Sequence, residues 1–401
     1  MSRPGPLDGI RVMEFGNLVA APYAGMLLAD LGAEVIKVEP RSGDLARDIG
    51  PFIKGESAFF MSINRGKASL AADVKDPDVA AALRRLVLDA DVLIHNLRPG
   101  AIERIGLGHL DVMVAAPRLV YAVISAFGTT GPWSQRAGID LVFQGESGMM
   151  AISGAEGEQP HKTATTIADF VAGTNAAAAI CAALVARSAS GEGRMVEVSL
   201  RDGLMAVQAG WNAQFFATGE QPRRTGTASP VTAPNQTLRT ADGHINLAVV
   251  SDRHFGAVCR LLHLDDLIDD PRFADNTARV VNREPLASAL EAALGTDTTE
   301  HWMEVLGGAG LAVGRLLDFP SVFEDPQVTH NQMLVEMKHQ IAGTIKVTGS
   351  PVRLNGEPAR ATVSPPALGQ DSRRILLEGG LSECQVDRLA ADQAVVLGSP
   401  E

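Results

Sequence analysis

Asp169 is the side chain in this sequence whose chemistry most needs an explanation. It lies in TTIADFVAG (165–173), where the other side chains are apolar, small or hydroxylic, and the run behind it, TNAAAAICAALVAR, predicts a buried helix. One interpretation is structural, with Asp169 as the N-cap that accepts backbone N–H groups. The other is a carboxylate nucleophile or general base, since attack on an activated acyl group gives a reactive mixed anhydride. The residues alone leave both interpretations open.

Other catalytic patterns are weak or missing. GESGM (145–149) resembles a nucleophile elbow, but Met149 stands where the second glycine is needed. The nine histidines are scattered without HxxxH or HExxH spacing, so we expect no metal site. A Ser–His or Cys–His triad has no support in the sequence and stays open.

The elements around these residues alternate between strand and helix. IRVMEF (10–15) predicts a strand, the segment 21–39 predicts a helix that ends near Gly32 and then the strand EVIKVE, and 76–97 repeats helix then strand. LVYAVISAFG (119–128) predicts another strand. This spacing predicts an α/β fold with an open, doubly wound, parallel-type sheet. The turn after the first strand lacks GxGxxG, so the sheet is Rossmann-like without that fingerprint. A mixed α+β fold with an antiparallel sheet is the alternative.

The character of the chain changes after about residue 205. The segment 221–237 is polar and contains Pro and Gly, as a linker does, and 240–250 predicts a turn followed by a strand. Residues 253–310 alternate helical stretches with loops, which predicts a compact second unit. After the irregular segment 350–371, SRRILLEGG and LSECQVDRLAADQAVV predict two final helices.

Composition limits the partners and the compartment. The 401 residues are 46% hydrophobic and carry a net charge of −12, which disfavours nucleic acid and anionic membranes. Cys181, Cys259 and Cys384 form no paired spacing, and the N-terminus lacks the apolar core of a signal peptide, so a cytoplasmic location is expected. No run approaches about 18 apolar residues without a charge, so we expect no membrane span.

A series of motifs, in order along the whole chain, resembles the family III CoA-transferases. This group includes formyl-CoA transferase, carnitine CoA-transferase and α-methylacyl-CoA racemase. The motifs are LDGIRVMEFGNLVAAPYAGMLLADLGAEVIKVE, SGDLAR, HNLRPGAIERIGLG, FGTTGPWSQRAGIDLVFQGESGMM, TATTIADFVAG and PPALGQD. The ordered set is far more specific than any single motif in it, and it favours the catalytic interpretation of Asp169.

The resemblance implies covalent catalysis by Asp169. In the family's transferases the aspartate at this position attacks an acyl-CoA thioester, forms an acyl–aspartyl anhydride and then exchanges through an aspartyl-CoA thioester. The implied partners are an acyl-CoA and a free carboxylic acid. CoA is thus a substrate, and no permanently bound cofactor or metal is implied. Stored thioester energy must not be lost to water, so a water-poor pocket is expected.

The resemblance also implies a CoA site built by segments of the first domain. The phosphates at the nucleotide end need Arg and Lys, and Arg41 follows a predicted strand at the edge where ligands of such sheets bind. Taken singly, Arg98 and Arg104 are also consistent with ordinary surface charges. The implied CoA-binding residues are Val19, Ala20, Arg41, Ala72, Lys75, Asn96, Leu97, Arg98, Arg104, Arg136 and Ile139.

Two departures from the family pattern favour the transferase branch. The racemases carry a histidine where RAGIDLVFQ has Ile139, and an isoleucine cannot exchange a proton. They also use a glutamate in the second domain, where Asp252 is the nearest match. We therefore expect a transferase. A racemase-like proton-transfer enzyme, or an acyl-CoA-binding protein without turnover, remains an alternative.

The family fold implies a large domain made from both ends of the chain and a smaller α+β domain from its middle. We place the large domain at 1–200 with 325–401, a linker at 201–224 and the small domain at 225–320. An interlocked homodimer is implied by the resemblance. Formyl-CoA transferase closes its site with a glycine run that the matching region 247–255 lacks, so another segment is expected to close the pocket.

Overall fold

The computed structural model describes residues 5–359, 361 and 363–398. The chain forms two compact units. The first contains Met1–Ser147, Thr163–Ala209 and Asp325–Glu401, and the second contains Gly148–Lys162 and Gly210–Glu324. Residues 148–162, which we predicted in the large domain, cluster with the second unit.

The described residues form sixteen strands, eighteen α-helices and two short 3₁₀ helices, at Leu45–Asp48 and Asp265–Leu267. From the N-terminus to the long central helix the elements are β1 (Arg11–Phe15), α1 (Ala20–Asp30), β2 (Glu34–Glu39), β3 (Phe52–Ile53), β4 (Glu56–Ser57), α2 (Ala58–Ser62), β5 (Lys67–Ala72), α3 (Pro77–Leu88), β6 (Val92–His95), α4 (Ala101–Arg104), α5 (His109–Ala115), β7 (Val120–Ser125), α6 (Asp140–Glu146), α7 (Met149–Ile152) and α8 (Ile167–Ser190). Those that follow, as far as the second unit's last strand, are β8 (Met195–Ser199), α9 (Leu200–Val207), α10 (Ala209–Thr218), β9 (Asn235–Arg239), β10 (His244–Ala248), α11 (Asp252–Leu261), α12 (Asn276–Val281), α13 (Arg283–Leu294), α14 (Thr299–Gly308) and β11 (Ala312–Arg315). The remainder are α15 (Phe319–Glu324), α16 (Pro326–His330), β12 (Leu334–His339), β13 (Gly343–Thr348), β14 (Arg353–Leu354), β15 (Glu357–Pro358), α17 (Ser372–Glu378), α18 (Glu383–Ala391) and β16 (Val395–Val396).

The first unit is built on a seven-stranded sheet in the order β16-β5-β2-β1-β6-β7-β8. The six strands from β5 to β8 in this order are mutually parallel, and only β16 runs antiparallel, beside β5. Numbered among themselves in chain order, the parallel strands lie 3-2-1-4-5-6, which is the order of a doubly wound dinucleotide-binding fold. The predicted α/β class is confirmed, and the antiparallel alternative is wrong for this sheet.

Two details of the sequence-based description need correction. The last predicted helix, 381–396, ends at Ala391 and is followed by β16, because the β-branched Val395 and Val396 complete the sheet edge. The predicted linker 201–224 contains all of α10 and all but the first residue of α9, so much of it is helical.

The second unit has a three-stranded antiparallel sheet in the order β11-β10-β9. Helices α11, α13 and α14 supply buried side chains to the same apolar core as this sheet, including Leu247, Phe255, Leu290 and Trp302. The second unit is therefore a small α+β domain, as the sequence predicts.

Helix α8 contacts α1 and α9 and strands β7 and β8 in the first unit. It begins after Thr166 and ends at Ser190, and the next residue, Gly191, caps it in the left-handed conformation with a φ of 77°. By length and composition alone it is apolar enough to cross a membrane. Our expectation that no apolar run approaches that length is wrong here, because residues 170–186 contain no charged side chain. The contacts with its neighbours bury one face of the helix, which includes Ala172, Ala176 and Ile180.

Candidate active site

Asp169 is the third residue of α8, not its N-cap. Thr166 occupies the N-cap position, and the backbone N–H of Asp169 donates to the Thr166 carbonyl at 3.1 Å. The structural interpretation of Asp169 as the cap is therefore wrong. Within residues 5–359, 361 and 363–398, no Lys, Arg or His pairs with its carboxylate.

The capping work at the start of α8 is done by a second carboxylate, Asp140. Its Oδ1 accepts the Ala168 N–H at 2.9 Å, and its Oδ2 accepts Gln144 Nε2 at 2.7 Å. Gln144 in turn accepts the Thr163 N–H at 2.8 Å. Asp140 and Gln144 are both buried and lie one turn apart on α6, so the pair ties α6 to the segment that leads into α8.

The surroundings of Asp169 favour its neutral form. Burial without a compensating cation, and then the nearby negative charge of Asp140, raise the pKa of Asp169 to about 7, while its own backbone N–H acts in the opposite direction. A carboxyl group with this pKa is largely ionised only from neutral pH upward. A poorly solvated and unpaired carboxylate has the properties of a nucleophile or a general base.

The start of α1 lies along the same face of α8. A Cβ placed on Gly173 would meet the Ala20 carbonyl oxygen at 2.7 Å, so glycine is what permits this close approach. Gly173 is four residues after Asp169 and therefore shares its helix face. The rings of Tyr23 and Phe170 pack edge to face with centroids 4.8 Å apart. The structure thus brings the predicted thioester-binding residue Ala20 to the helix face that carries Asp169.

Predicted CoA-binding residues follow the carboxyl ends of four neighbouring parallel strands. Val19 and Ala20 follow β1, Arg41 follows β2, Ala72 ends β5 and Asn96 follows β6. The sheet order reverses between β1 and β6, which is where ligands of doubly wound folds bind. These residues therefore lie together at the carboxyl-terminal end of the parallel strands.

Asn96 connects the two strands at this point of reversal. Its Oδ1 accepts the Asn17 N–H at 2.9 Å, and its Nδ2 donates to the Asn17 carbonyl, also at 2.9 Å. Both polar groups of the side chain are thus used by the loop after β1. A direct contact between Asn96 and CoA stays a prediction.

The basic residues predicted to bind the nucleotide end are exposed. Arg41 donates to the Gln393 carbonyl at 2.5 Å, and Arg104, the last residue of α4, lies near Gly100. Lys75 and Arg98 are exposed, and Leu97 is half-buried. Their role with CoA stays a prediction.

Arg136 and Ile139 lie between β7 and α6. Arg136 forms a two-pronged ion pair with Glu146 at 2.5 and 2.8 Å, and its guanidinium lies 5.0 Å from the centre of the Phe127 ring. Ile139 is the N-cap residue of α6, directly before Asp140, and is 66% exposed.

Asp252 forms an ion pair with Arg279. It is the residue that best matches the second-domain glutamate of the racemases. Its Oδ1 accepts Arg279 Nη2 at 2.6 Å, and Arg279 is almost completely buried. Removal of Asp252 would leave a buried guanidinium without its carboxylate, so an anchoring role explains this residue. In the described part of the chain, no group of three or more His, Cys, Asp or Glu side chains is arranged to hold a metal ion.

Comparison with known proteins agrees with this architecture. Residues 7–372 match the family model described as CoA-transferase family III. The chain belongs to CoA-transferase family III. A succinyl-CoA:glutarate CoA-transferase of Mus musculus is 36% identical over 375 residues, which make up 93% of this chain and 86% of the relative. A succinate–glutarate CoA-transferase of Agrobacterium fabrum is 35% identical over 94% of this chain and 96% of its own length.

A solved structure supports the fold of this CoA-transferase as well. The crystal structure of a CAIB/BAIF family protein from Brucella suis is 34% identical, has a TM-score of 0.84, and is matched over 94% of this chain and 100% of the other. The resemblance found in the sequence is thereby confirmed. The chain is an enzyme of the CoA-transferase class, and CoA thioesters are substrates of that class.

The sequence-based interpretation missed the supporting residues of the site. Asp140 stands directly after Ile139, and its spacing of four residues to Gln144 indicates a pair on one helix face. Its hydrogen bond to Ala168 joins residues 28 positions apart, so no local pattern in the sequence indicates it. Asn17 and Asp44, which hold the loop after β1, were missed as well. The available signal for these two residues was the presence of charged side chains, Glu14 and Lys37, within strands of a parallel sheet. Such strands are covered on both faces, so a charge within them needs a buried partner.

Proposed function

We propose that this enzyme moves CoA between an acyl-CoA and a free carboxylic acid, with Asp169 as the covalent nucleophile. The observation that supports this most is the carboxylate itself. It lies partly buried in the first turn of α8, without an ion-pair partner among the described residues, and its pKa is raised to about 7. A poorly solvated carboxylate is high in free energy, and forming a covalent bond to an acyl carbon removes its charge and lowers that free energy.

The reaction begins with two exchanges at Asp169. A carboxylate oxygen of Asp169 attacks the thioester carbonyl, the C–S bond breaks, and CoA leaves as a thiolate. The thiolate then attacks the Asp169 carbonyl carbon of the resulting anhydride. The donor acid leaves as a carboxylate and takes the bridging oxygen with it, and Asp169 becomes the aspartyl-CoA thioester.

The acceptor acid reverses the sequence. Its carboxylate attacks the Asp169 carbonyl and displaces CoA thiolate, which gives a second anhydride. The thiolate attacks the acceptor's own carbonyl carbon, so the new acyl-CoA forms and Asp169 is released with an oxygen from the acceptor. No proton is gained or lost over the cycle, which is consistent with the lack of a histidine paired with Asp169 among the described residues.

The first substrates to test come from the relatives. Their names pair succinyl-CoA or succinate with glutarate, so a panel of short dicarboxylic and monocarboxylic acids should begin with these two. We also propose that the chain works as an interlocked homodimer in the cytoplasm and binds neither nucleic acid nor membranes. Light scattering of the purified full chain and its sedimentation with anionic vesicles test these statements.

The test of the nucleophile combines substitution with trapping. Asp169→Asn keeps the size of the side chain but removes its nucleophilic oxygen, so CoA transfer should fall about a thousandfold or more. Hydroxylamine added with acyl-CoA should inactivate the wild type, because it attacks the aspartyl-CoA thioester, expels CoA thiol and leaves a hydroxamate on Asp169.

The matched control is Asp202→Asn. Asp202 also stands third in its helix, α9, but is exposed, so this variant should keep its activity and its sensitivity to hydroxylamine. Full activity in Asp169→Asn would contradict the mechanism. Exchange of the α-proton of a 2-methylacyl-CoA with solvent deuterium in the absence of an acid would favour the racemase instead. Tight acyl-CoA binding without CoA exchange into any acid would favour a binding protein.

A further inference from the structure

The loop between β1 and α1 contains a backbone conformation that its sequence does not favour. Leu18 has a φ of 62°, in the left-handed region that leucine rarely adopts. The next two residues are Val19 and Ala20, and the Ala20 carbonyl lies against Gly173 on the face of α8 that carries Asp169. A strained residue this close to a reacting group is held there by its surroundings, and those surroundings are identifiable.

Leu18 is held in this conformation by one hydrogen bond to the loop after β2 and by one within its own loop. The Leu18 N–H donates to Asp44 Oδ1 at 2.9 Å and to Asn17 Oδ1 at 3.0 Å. The same two oxygens accept backbone N–H groups of the loop after β2, from Leu45 to Asn17 at 3.0 Å and from Ala46 to Asp44 at 2.8 Å. Each side chain therefore ties the loop after β1 to the loop after β2.

Buried charges fix Asp44 in turn. Lys37 Nζ lies 2.7 Å from Asp44 Oδ2, 3.0 Å from Glu14 Oε1 and 3.0 Å from the Gly16 carbonyl oxygen, and all three charged side chains are buried. The Asp44 N–H also donates to Glu39 Oε2 at 3.0 Å. Because each oxygen of Asp44 has its own partner, its carboxylate cannot rotate without breaking an ion pair or releasing Leu18.

We propose that Asp44 is a positioning residue for CoA transfer, which holds Leu18 in its left-handed conformation and thereby presents Val19 and Ala20 along the Asp169 face of α8. The partners of Asp44 are Leu18, Ala46, Lys37 and Glu39, so Asp44 acts on Asp169 only through the loop after β1. Asn96 supports the same loop from the opposite side through Asn17. This inference rests on the proposed function, since it concerns the approach of a thioester to Asp169.

Three variants separate this role from simple stabilisation of the fold. Asp44→Ala removes the acceptor of the Leu18 N–H, so kcat should fall about tenfold because the left-handed conformation is no longer favoured. Asp44→Asn keeps an oxygen for Leu18 and should retain kcat within about threefold, even though it weakens the pair with Lys37. Leu18→Gly added to Asp44→Ala should restore kcat to within about threefold of the wild type, since glycine adopts a positive φ without steric cost.

Asp30→Ala is the matched control. Asp30 is also buried, pairs with Arg65 at 2.5 Å and accepts the Ala361 N–H at 3.0 Å, but it lies at the far end of α1. Its loss should lower the melting temperature about as much as Asp44→Ala does, with kcat little changed below the transition and no response to Leu18→Gly.

The readouts are kcat and KM for the acyl-CoA, measured on the full chain well below each melting temperature. Recovery of kcat by Leu18→Gly in the Asp44→Ala background, without recovery of the melting temperature, supports the proposal. Equal kcat in Asp44→Ala and Asp30→Ala, or no recovery by Leu18→Gly, would overturn it. This test does not depend on the covalent step, because the recovery is measured as kcat. Failure of the hydroxylamine trap would reject Asp169 as the nucleophile, but the recovery of kcat by Leu18→Gly could still be measured.

Discussion

Two of the regions in which the first unit buries carboxylates do so in opposite ways. Beneath the loop after β1, Glu14 contacts both Lys37 and Lys67, and Asp44 contacts Lys37, so each buried anion has a cation within 3.0 Å. At the start of α8, the charged neighbour of Asp169 is another carboxylate, Asp140, and no cation among the described residues pairs with it. The first arrangement holds backbone in place, and the second leaves a carboxyl group that is easily neutralised. The partners of a buried acid therefore separate a structural carboxylate from a reactive one.

The pKa values follow the same division. In the paired region, burial opposes the charge of Lys37, but the charges of Glu14 and Asp44 prevail and raise its pKa. Burial, together with the positive charge of Lys37, lowers the pKa of Lys67 to about 8, although Glu14 acts in the opposite direction. At the unpaired site, burial and then the charge of Asp140 raise the pKa of Asp169 to about 7, and no cation in the described part of the chain opposes them.

Breaking the paired region should have the largest effect on stability. Lys37→Met leaves Glu14 and Asp44 buried without their shared cation, so the free energy of unfolding should fall by about 3–5 kcal/mol. Urea unfolding of the full chain measures the change. The control is Arg11→Met, which removes solvent-accessible pairs with Glu34 and Glu378 and should cost at most about 1 kcal/mol per pair. Similar losses in the two variants would remove the distinction between buried and exposed pairs.

Separating α8 from α1 should have an intermediate effect. In Gly173→Ala the new methyl group would meet the Ala20 carbonyl at 2.7 Å, so the helices must shift at a cost of about 1–3 kcal/mol. CoA transfer should fall as well, because Ala20 moves relative to Asp169.

Gly203→Ala on α9 is the matched control for this close approach. Its methyl group would meet two side chains of the same α8, Val171 at 3.3 Å and Asn175 at 3.7 Å, and no backbone atom is among these contacts. This variant should keep most of its stability and activity, as judged by thermal unfolding and initial rates. Equal effects of the two substitutions would show that the approach of Ala20 to α8 has no special importance.

The unpaired site should give the smallest effect, as a pH dependence of stability. The pKa of Asp169 is about 7 in the folded protein and 3.8 for an unperturbed group, so the folded state holds the proton more tightly. The resulting stabilisation is complete below the lower value and is lost as pH rises through about 7. Between pH 6 and pH 8 it should decrease by about 1 kcal/mol.

Asp169→Asn isolates this contribution, because asparagine does not titrate. The difference in unfolding free energy between variant and wild type should shift by that amount in favour of the variant from pH 6 to pH 8. A difference that does not change with pH would contradict the raised pKa and, with it, the contrast between the two regions.

Much of the fold was predictable because it depends on local pattern. The alternation of apolar strands and helices gave β1, α1, β2, α3, β6 and β7 close to their observed bounds. Asp169 was found from its apolar surroundings and the ordered motifs. Val395 and Val396 were misassigned because two residues show no periodicity, and their strand exists only through its pairing with β5.

The support of the site was not predictable, because it depends on contacts between residues distant in sequence. Asp44 meets Leu18 across 26 positions, and Asn96 meets Asn17 across 79. Nothing in GNLVAAP marks Leu18 as left-handed, since leucine is a poor choice for that conformation. The charges of Glu14 and Lys37 within apolar strands were visible, but only the sheet order shows that they share one buried cluster.

The central claim is that Asp169 exchanges oxygen with its substrates, and heavy-isotope oxygen in the acceptor acid tests it directly. In the proposed cycle the acceptor leaves one of its carboxylate oxygens on Asp169, and that carboxylate then survives denaturation and digestion. After a single turnover, mass spectrometry should find one heavy oxygen on the peptide that contains Asp169, and none on the peptide that contains Asp202. Formation of labelled product with an unlabelled Asp169 peptide would contradict the account.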